Sequence, residues 1–135
     1  MPLVRIALMK ANPDGFGNKI GAVVYRTMTD TINVPAKDNF QLITEHDRDM
    51  LIYDPSYLDI PRSDGIIMIQ ITLNEMIQIT LNEGRTIEMK KAFFKTLAER
   101  LHAEVSIRME DVFVNLVEVK KENWSFGNGL AQYGQ

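Results

Sequence analysis

The chain has 135 residues, 45% of them hydrophobic and 24% charged, and its formal net charge is −3. This size supports one compact domain with a modest core and is too short for two ordinary domains. A charge this small predicts no nucleic-acid partner and no binding to an anionic membrane surface. The lack of cysteine excludes disulfides and thiolate chemistry. Since no signal peptide or membrane-spanning run is evident, we expect a cytoplasmic protein.

The first half of the chain predicts a βαβ unit over about residues 2–46. Residues 3–8 are mostly apolar and include β-branched types, which is typical of a strand. Between residues 19 and 32 the apolar positions recur at three- and four-residue spacing, which indicates an amphipathic helix. A second strand is predicted over about residues 40–45.

The second half, about residues 66–119, repeats this order of elements. We expect a strand that ends at Leu81, a helix over about residues 86–102 and a last strand over residues 112–119. Thr86 is a suitable N-cap for the helix. The face that this helix turns to the sheet is predicted to consist of Ile87, Phe93, Phe94, Leu97, Ala98 and Leu101.

Two tandem βαβ units predict an α+β fold with a four-stranded sheet and both helices on one face. Residues 120–135 then form a C-terminal tail of a single domain. Because both helices cover the same face, the other face of the sheet is left bare and needs a partner. The expected solution is a symmetric homo-oligomer in which subunits cover each other's exposed face.

A short repeat interrupts the second unit, since MIQITLNE at residues 68–75 recurs letter for letter at residues 76–83. Eight is an even number, so both copies have the same strand parity and either could fill the core position. Two copies in one straight strand would span over ~50 Å, more than twice a usual strand. We expect the second copy to keep the sheet position, because it is joined to Gly84 and Arg85. The first copy would then form a bulge, a loop or an added edge strand.

Pro2 is the first candidate catalytic residue. A small residue after the initiator methionine favours removal of Met1, which leaves a proline secondary amine at the N-terminus. A free α-amino group titrates near pH ~8, and desolvation or a neighbouring cation lowers that pKa towards neutrality, where a general base works best. By itself the pattern is weak, because a proline that merely starts a strand is common.

Several stretches spread over nearly the whole chain resemble the tautomerase superfamily. They are Pro2-Leu3, Val34 to Asp38, Gly84-Arg85-Thr86 and Trp124 to Gly127. The most specific is the C-terminal segment from Asn123 to Tyr133, which is similar to that of the malonate semialdehyde decarboxylase branch. The resemblance implies a double-βαβ subunit, a homotrimer and a pocket around the N-terminal proline at the subunit interface.

The resemblance also implies roles for individual residues. Arg85 would grip the carboxylate of a keto acid with two parallel hydrogen bonds. Asp38 would orient water or assist proton transfer, and beside a protonated Pro2 it would raise the pKa of the amine. An apolar wall that excludes water would be formed by Trp124, Phe126 and Tyr133. The structural alternatives are a solvated surface arginine, a turn aspartate and aromatics that only dock the tail.

Glu83 departs from the decarboxylase pattern, which has a second arginine at that position. A carboxylate there weakens anion capture and places malonate semialdehyde decarboxylation in doubt. His46 and His102 have no second ligand at metal-site spacing, so no metal and no cofactor are expected.

Three functions are consistent with these residues. The first is keto-enol tautomerisation of a 2-keto acid such as phenylpyruvate, with the Pro2 amine as the base. The second keeps Pro2 protonated as an acid and uses Asp38 to activate water, giving hydration of an acetylenic or haloacrylic acid, or decarboxylation of a 3-oxo acid. The third is a trimeric binding module that has lost catalysis. We expect the first.

Overall fold

The structure, a computed structural model, describes residues 2–74 and 85–133. Its elements follow the predicted order of two βαβ units. The first unit consists of strand β1 (Leu3–Met9), helix α1 (Phe16–Thr31) and strand β2 (Gln41–His46), and the second of strand β3 (Ile67–Asn74), helix α2 (Ile87–Val105) and strand β4 (Val112–Val119). The predicted bounds of β4 agree with those observed.

The four strands form one sheet in the order β2-β1-β3-β4. β1 is parallel to β2 and β3 is parallel to β4, while β1 and β3 are antiparallel at the centre. Thr72 lies opposite Leu3, and Val119 lies opposite Asn74. The starts of β1 and β2 therefore lie at the same end of the sheet as the C-terminal ends of β3 and β4. We call this the proline end, because Pro2 directly precedes β1.

Alternate strand residues and both helices form the main core on one face of the sheet, as predicted. From the strands it contains Val4, Ile6, Leu8, Ile67, Ile69, Ile71 and Leu73. α2 contributes Phe93, Leu97 and Leu101, which recur at four-residue spacing. The prediction that Ile87 and Phe94 also face the sheet is wrong, because they lie off this stripe and are 66% and 38% exposed.

The opposite face of the sheet is open across its centre. Arg5, Gln70 and Asn115 lie side by side in register there and are exposed. They border a cavity of about 400 Å³ together with Met68 and Phe113. The corner farthest from the proline end is covered by a small apolar cluster of Met9, Leu51 and Ile66. Within residues 2–74 and 85–133, no helix is long and apolar enough to cross a membrane.

The first copy of the octapeptide occupies the sheet, since residues 68–74 belong to β3 and pair with both β1 and β4. The prediction that the second copy keeps this position and the first is displaced is therefore wrong. The physical reason lies at the start of the strand, where Ile67 pairs with Leu8 on one side and Val112 on the other. The copy that continues directly from this fixed start takes the sheet position. Residues 76–83, with Glu83 among them, lie outside the described residues.

Candidate functional site

Pro2 is buried at the start of β1, beside the segment that leads into β2. The amide of Val4 donates to the carbonyl of Phe40 at 2.9 Å. This bond joins the start of β1 to the segment just before β2, so Pro2 and the segment that holds Asp38 lie at the same end of the sheet.

Asp38 lies half-buried in the turn between α1 and β2. Its amide donates to the carbonyl of Pro35 at 3.3 Å. The amide of Lys37 donates to the Tyr25 hydroxyl of α1 at 2.8 Å, and Lys37 has a left-handed φ of 68°. These contacts tie the turn to the helix layer. Asp38 is thus a turn residue, and the turn also places it at the proline end.

Arg85 reaches the proline end from the segment just before α2. Its Nε donates to the carbonyl of Ile32 at 3.1 Å, and its Nη1 donates to the carbonyl of Asn74 at 3.0 Å. A guanidinium has five N–H donors, so three remain on the two terminal nitrogens. The half-buried side chain is not the solvated surface arginine that the sequence left open.

The positive charge of Arg85 is not neutralised by an ion pair with any described residue. Burial lowers the pKa of Arg85 below its ordinary value, and the negative charge of the Glu118 carboxylate opposes this shift. Arginine stays protonated at physiological pH, so a partly desolvated cation is fixed at this end of the sheet. Such a cation is suited to binding an anionic ligand.

The aromatic residues of the C-terminal tail form one cluster after the end of β4. The rings of Trp124 and Phe126 stack with centroids 5.7 Å apart, and Phe126 meets Tyr133 edge-on at 5.0 Å. Gln132 closes this part of the tail, since its Oε1 accepts from the Phe126 amide at 3.0 Å. β4 ends at the proline end, so the tail begins there, and the structure brings the three predicted wall residues together.

Asn74 is a residue of this region that the sequence analysis missed. Its side chain is 8% exposed, and its Oδ1 has no hydrogen-bond partner among the described residues. The buried Nε1 of Trp124 also lacks a partner in this part of the chain. Buried polar groups without partners are uncommon and call for an explanation. The available signal was a polar side chain at the end of β3, directly after the buried Leu73.

The histidines contribute nothing to this site. His46 is at the end of β2 far from Pro2, where its Nε2 is 2.8 Å from the Thr44 hydroxyl. His102 lies in the last turn of α2, with Nδ1 3.0 Å from the carbonyl of Ile107. Residues 2–74 and 85–133 contain no group of three or more side chains that could hold a metal ion.

Comparisons with known proteins identify the family of the chain. The tautomerase enzyme family model matches residues 38–127. The chain is 39% identical over 132 residues to the probable tautomerase YusQ of Bacillus subtilis (strain 168), with 98% of each chain covered.

Two solved structures extend the comparison. A malonate semialdehyde decarboxylase inhibited by 3-bromopropiolate superposes with a TM-score of 0.82 at 31% identity, over 97% of this chain and 93% of that one. A symmetric trimer of a fused 4-OT enzyme superposes with a TM-score of 0.69 at 20% identity, over 98% and 99% of the chains, which shows the shared fold alone. The chain therefore belongs to the tautomerase superfamily, in its malonate semialdehyde decarboxylase-like branch.

Proposed function

We propose that the mature chain, which begins at Pro2, is a cytoplasmic keto-enol tautomerase acting on a 2-keto acid such as phenylpyruvate. One observation carries the proposal. Pro2, which is buried, and the half-buried guanidinium of Arg85, which has no carboxylate partner among the described residues, lie at the same end of one sheet. The first can move a proton, and the second can hold the substrate's charged group.

In this reaction the unprotonated Pro2 nitrogen takes a proton from the carbon next to the substrate carbonyl. The C–H bond breaks, an N–H bond forms, and the electron pair moves onto the carbonyl oxygen. Pro2 then returns the proton to that oxygen, which gives the enol and restores the free amine. The reverse sequence converts the enol into the ketone. The buried position of Pro2 favours the unprotonated amine in this proposal, because desolvation penalises the charged form.

The remaining groups bind and shield the substrate. Arg85 binds the carboxylate through its unused N–H donors, and Asp38 assists proton transfer next to Pro2. The tail aromatics Trp124, Phe126 and Tyr133 exclude water and contact the apolar part of the substrate. The reaction requires neither a metal nor a cofactor, because proton transfer and charge binding suffice.

We infer that three copies of the chain assemble into a homotrimer. The open face of the sheet, with the row formed by Arg5, Gln70 and Asn115, supports this assembly. A symmetric trimer is also the form of the fused 4-OT structure that shares the fold. A monomeric mass in light scattering would contradict the assembly.

The test of the catalytic proposal combines intact mass spectrometry with a phenylpyruvate tautomerisation assay. We expect the purified protein to lack Met1 and to lose activity in Pro2→Ala. Pro13→Ala is the matched control, because Pro13 is an exposed loop proline beyond the other end of β1. If Met1 is retained, the Pro2 nitrogen is an amide and has no basic lone pair. That result, or equal rates in Pro2→Ala and the wild type, would contradict the mechanism and favour a binding module.

The second candidate is decarboxylation of malonate semialdehyde, or hydration of an acetylenic or haloacrylic acid. The similarity to malonate semialdehyde decarboxylases of known structure favours it. Here Pro2 remains protonated and Asp38 activates water. The pH dependence of the rate separates the two candidates. A Pro2 pKa near or below neutrality supports the base, and one well above it supports the acid.

A further inference from the structure

Glu118 places a carboxylate next to the candidate anion site. It lies on β4 opposite Leu73, one residue before the pair of Val119 and Asn74. The carbonyl of Asn74 is the group that accepts from Arg85. The negative charge of Glu118 raises the pKa of Arg85, against the effect of burial.

Lys90 holds this carboxylate from the first turns of α2. Its Nζ lies 3.2 Å from Oε1 of Glu118, and the two side chains are each 31% exposed. A pair at this depth is less screened than an exposed one, although it is not fully desolvated. Lys90 thus offsets the negative charge of Glu118 and joins its carboxylate to α2.

An unpaired Glu118 would oppose substrate binding in two ways. Its charge would repel the carboxylate of a keto acid, and its oxygens would compete for the free N–H donors of Arg85. With Lys90 in place, the three groups carry a net charge of one positive unit. Without Lys90, Arg85 and Glu118 cancel.

We propose that Lys90 is a positioning residue which, by pairing with Glu118, keeps the guanidinium of Arg85 available and lets the site select anionic over neutral substrates. This inference rests on the proposed function, because it concerns the same site. Neither residue needs to touch the substrate. Lys90 offsets the charge of Glu118, so removal of Lys90 alone changes affinity for the carboxylate and not the chemical step.

The test measures dissociation constants by isothermal titration calorimetry for phenylpyruvate and its neutral ethyl ester, using the full mature chain. Lys90→Gln should weaken phenylpyruvate binding on the order of fivefold and leave ester binding unchanged. The double variant Lys90→Gln/Glu118→Gln should bind phenylpyruvate as the wild type does. Lys95→Gln is the matched control, because it removes another pair of the same helix, with Glu99 at 3.9 Å.

Three results would overturn the inference. Lys90→Gln could behave like Lys95→Gln, it could weaken the acid and the ester equally, or the double variant could fail to restore affinity. The proposed function fails separately: if the wild type binds phenylpyruvate without turning it over, catalysis is refuted while the dissociation constants still decide the role of the pair. If it does not bind phenylpyruvate at all, both fall.

Discussion

Replacing Arg85 with glutamine tests whether this guanidinium binds the substrate carboxylate. Two of its N–H groups are already bonded to the carbonyls of Ile32 and Asn74, so a carboxylate uses the remaining three. Each charge-assisted hydrogen bond contributes about 1.5–3 kcal/mol, and the glutamine amide replaces part of this. A net loss of about 2 kcal/mol corresponds to a KM for phenylpyruvate raised about 30-fold. The KM for the ethyl ester should change little.

The same substitution also removes two structural hydrogen bonds, which lowers the free energy of unfolding by about 1–2 kcal/mol. Arg62→Gln controls for this effect, because Arg62 also donates to backbone carbonyls, those of Tyr57 at 2.8 Å and Ile60 at 3.3 Å. It lies in the loop between β2 and β3, so it should lose stability without a change in KM. Thermal unfolding and steady-state kinetics of both variants measure the two effects. An unchanged KM in Arg85→Gln, or an equal rise for acid and ester, would refute the carboxylate role.

Two further predictions concern stability and the repeat. Arg26 in α1 lowers the pKa of Glu104 in α2, chiefly by a hydrogen bond. This link therefore stabilises the fold fully at pH values above the ordinary glutamate pKa of 4.5, and the stabilisation is lost as pH falls through the lowered pKa. In urea unfolding, Glu104→Gln should therefore be less stable than the wild type at pH 7 and equal to it near pH 2; a difference that persists at the lower pH would contradict this linkage. Deleting residues 76–83 should leave the phenylpyruvate KM within about twofold, because β3 keeps its register and parity. A loss of binding in the deletion variant would show that the second copy is needed at the site.

The strands and helices could be predicted because each buries one face, and this gives its apolar residues a regular spacing along the sequence. The alternation in β1 and the four-residue spacing of Phe93, Leu97 and Leu101 in α2 are properties of neighbouring residues. Residue type alone gave a wrong prediction for Ile87, which is apolar and yet exposed. Its position relative to the buried stripe, not its residue type, decides where it points.

The members of the candidate site could be found from the resemblance, but their contacts could not. Arg85 binds the carbonyl of Ile32, which is 53 positions away, and that of Asn74, 11 positions away. Backbone carbonyls have no sequence signature, so no sequence pattern predicts which of them Arg85 binds. Lys90 and Glu118 were missed for a similar reason, because they are 28 residues apart on different elements, and only the fold brings them to 3.2 Å.

The repeat shows why Arg85 can keep its place although a second copy of the octapeptide precedes it. Parity could not choose between the copies, so only the pairing of Ile67 at the start of β3 decided which one enters the sheet. Arg85 is held by contacts with the two helices. Thr86 caps α2 by accepting from the Met89 amide at 3.1 Å, and the carbonyl at the end of α1 fixes the guanidinium. Together with the bond from Arg85 to the carbonyl of Asn74, these contacts fix the guanidinium between the helix layer and the end of β3.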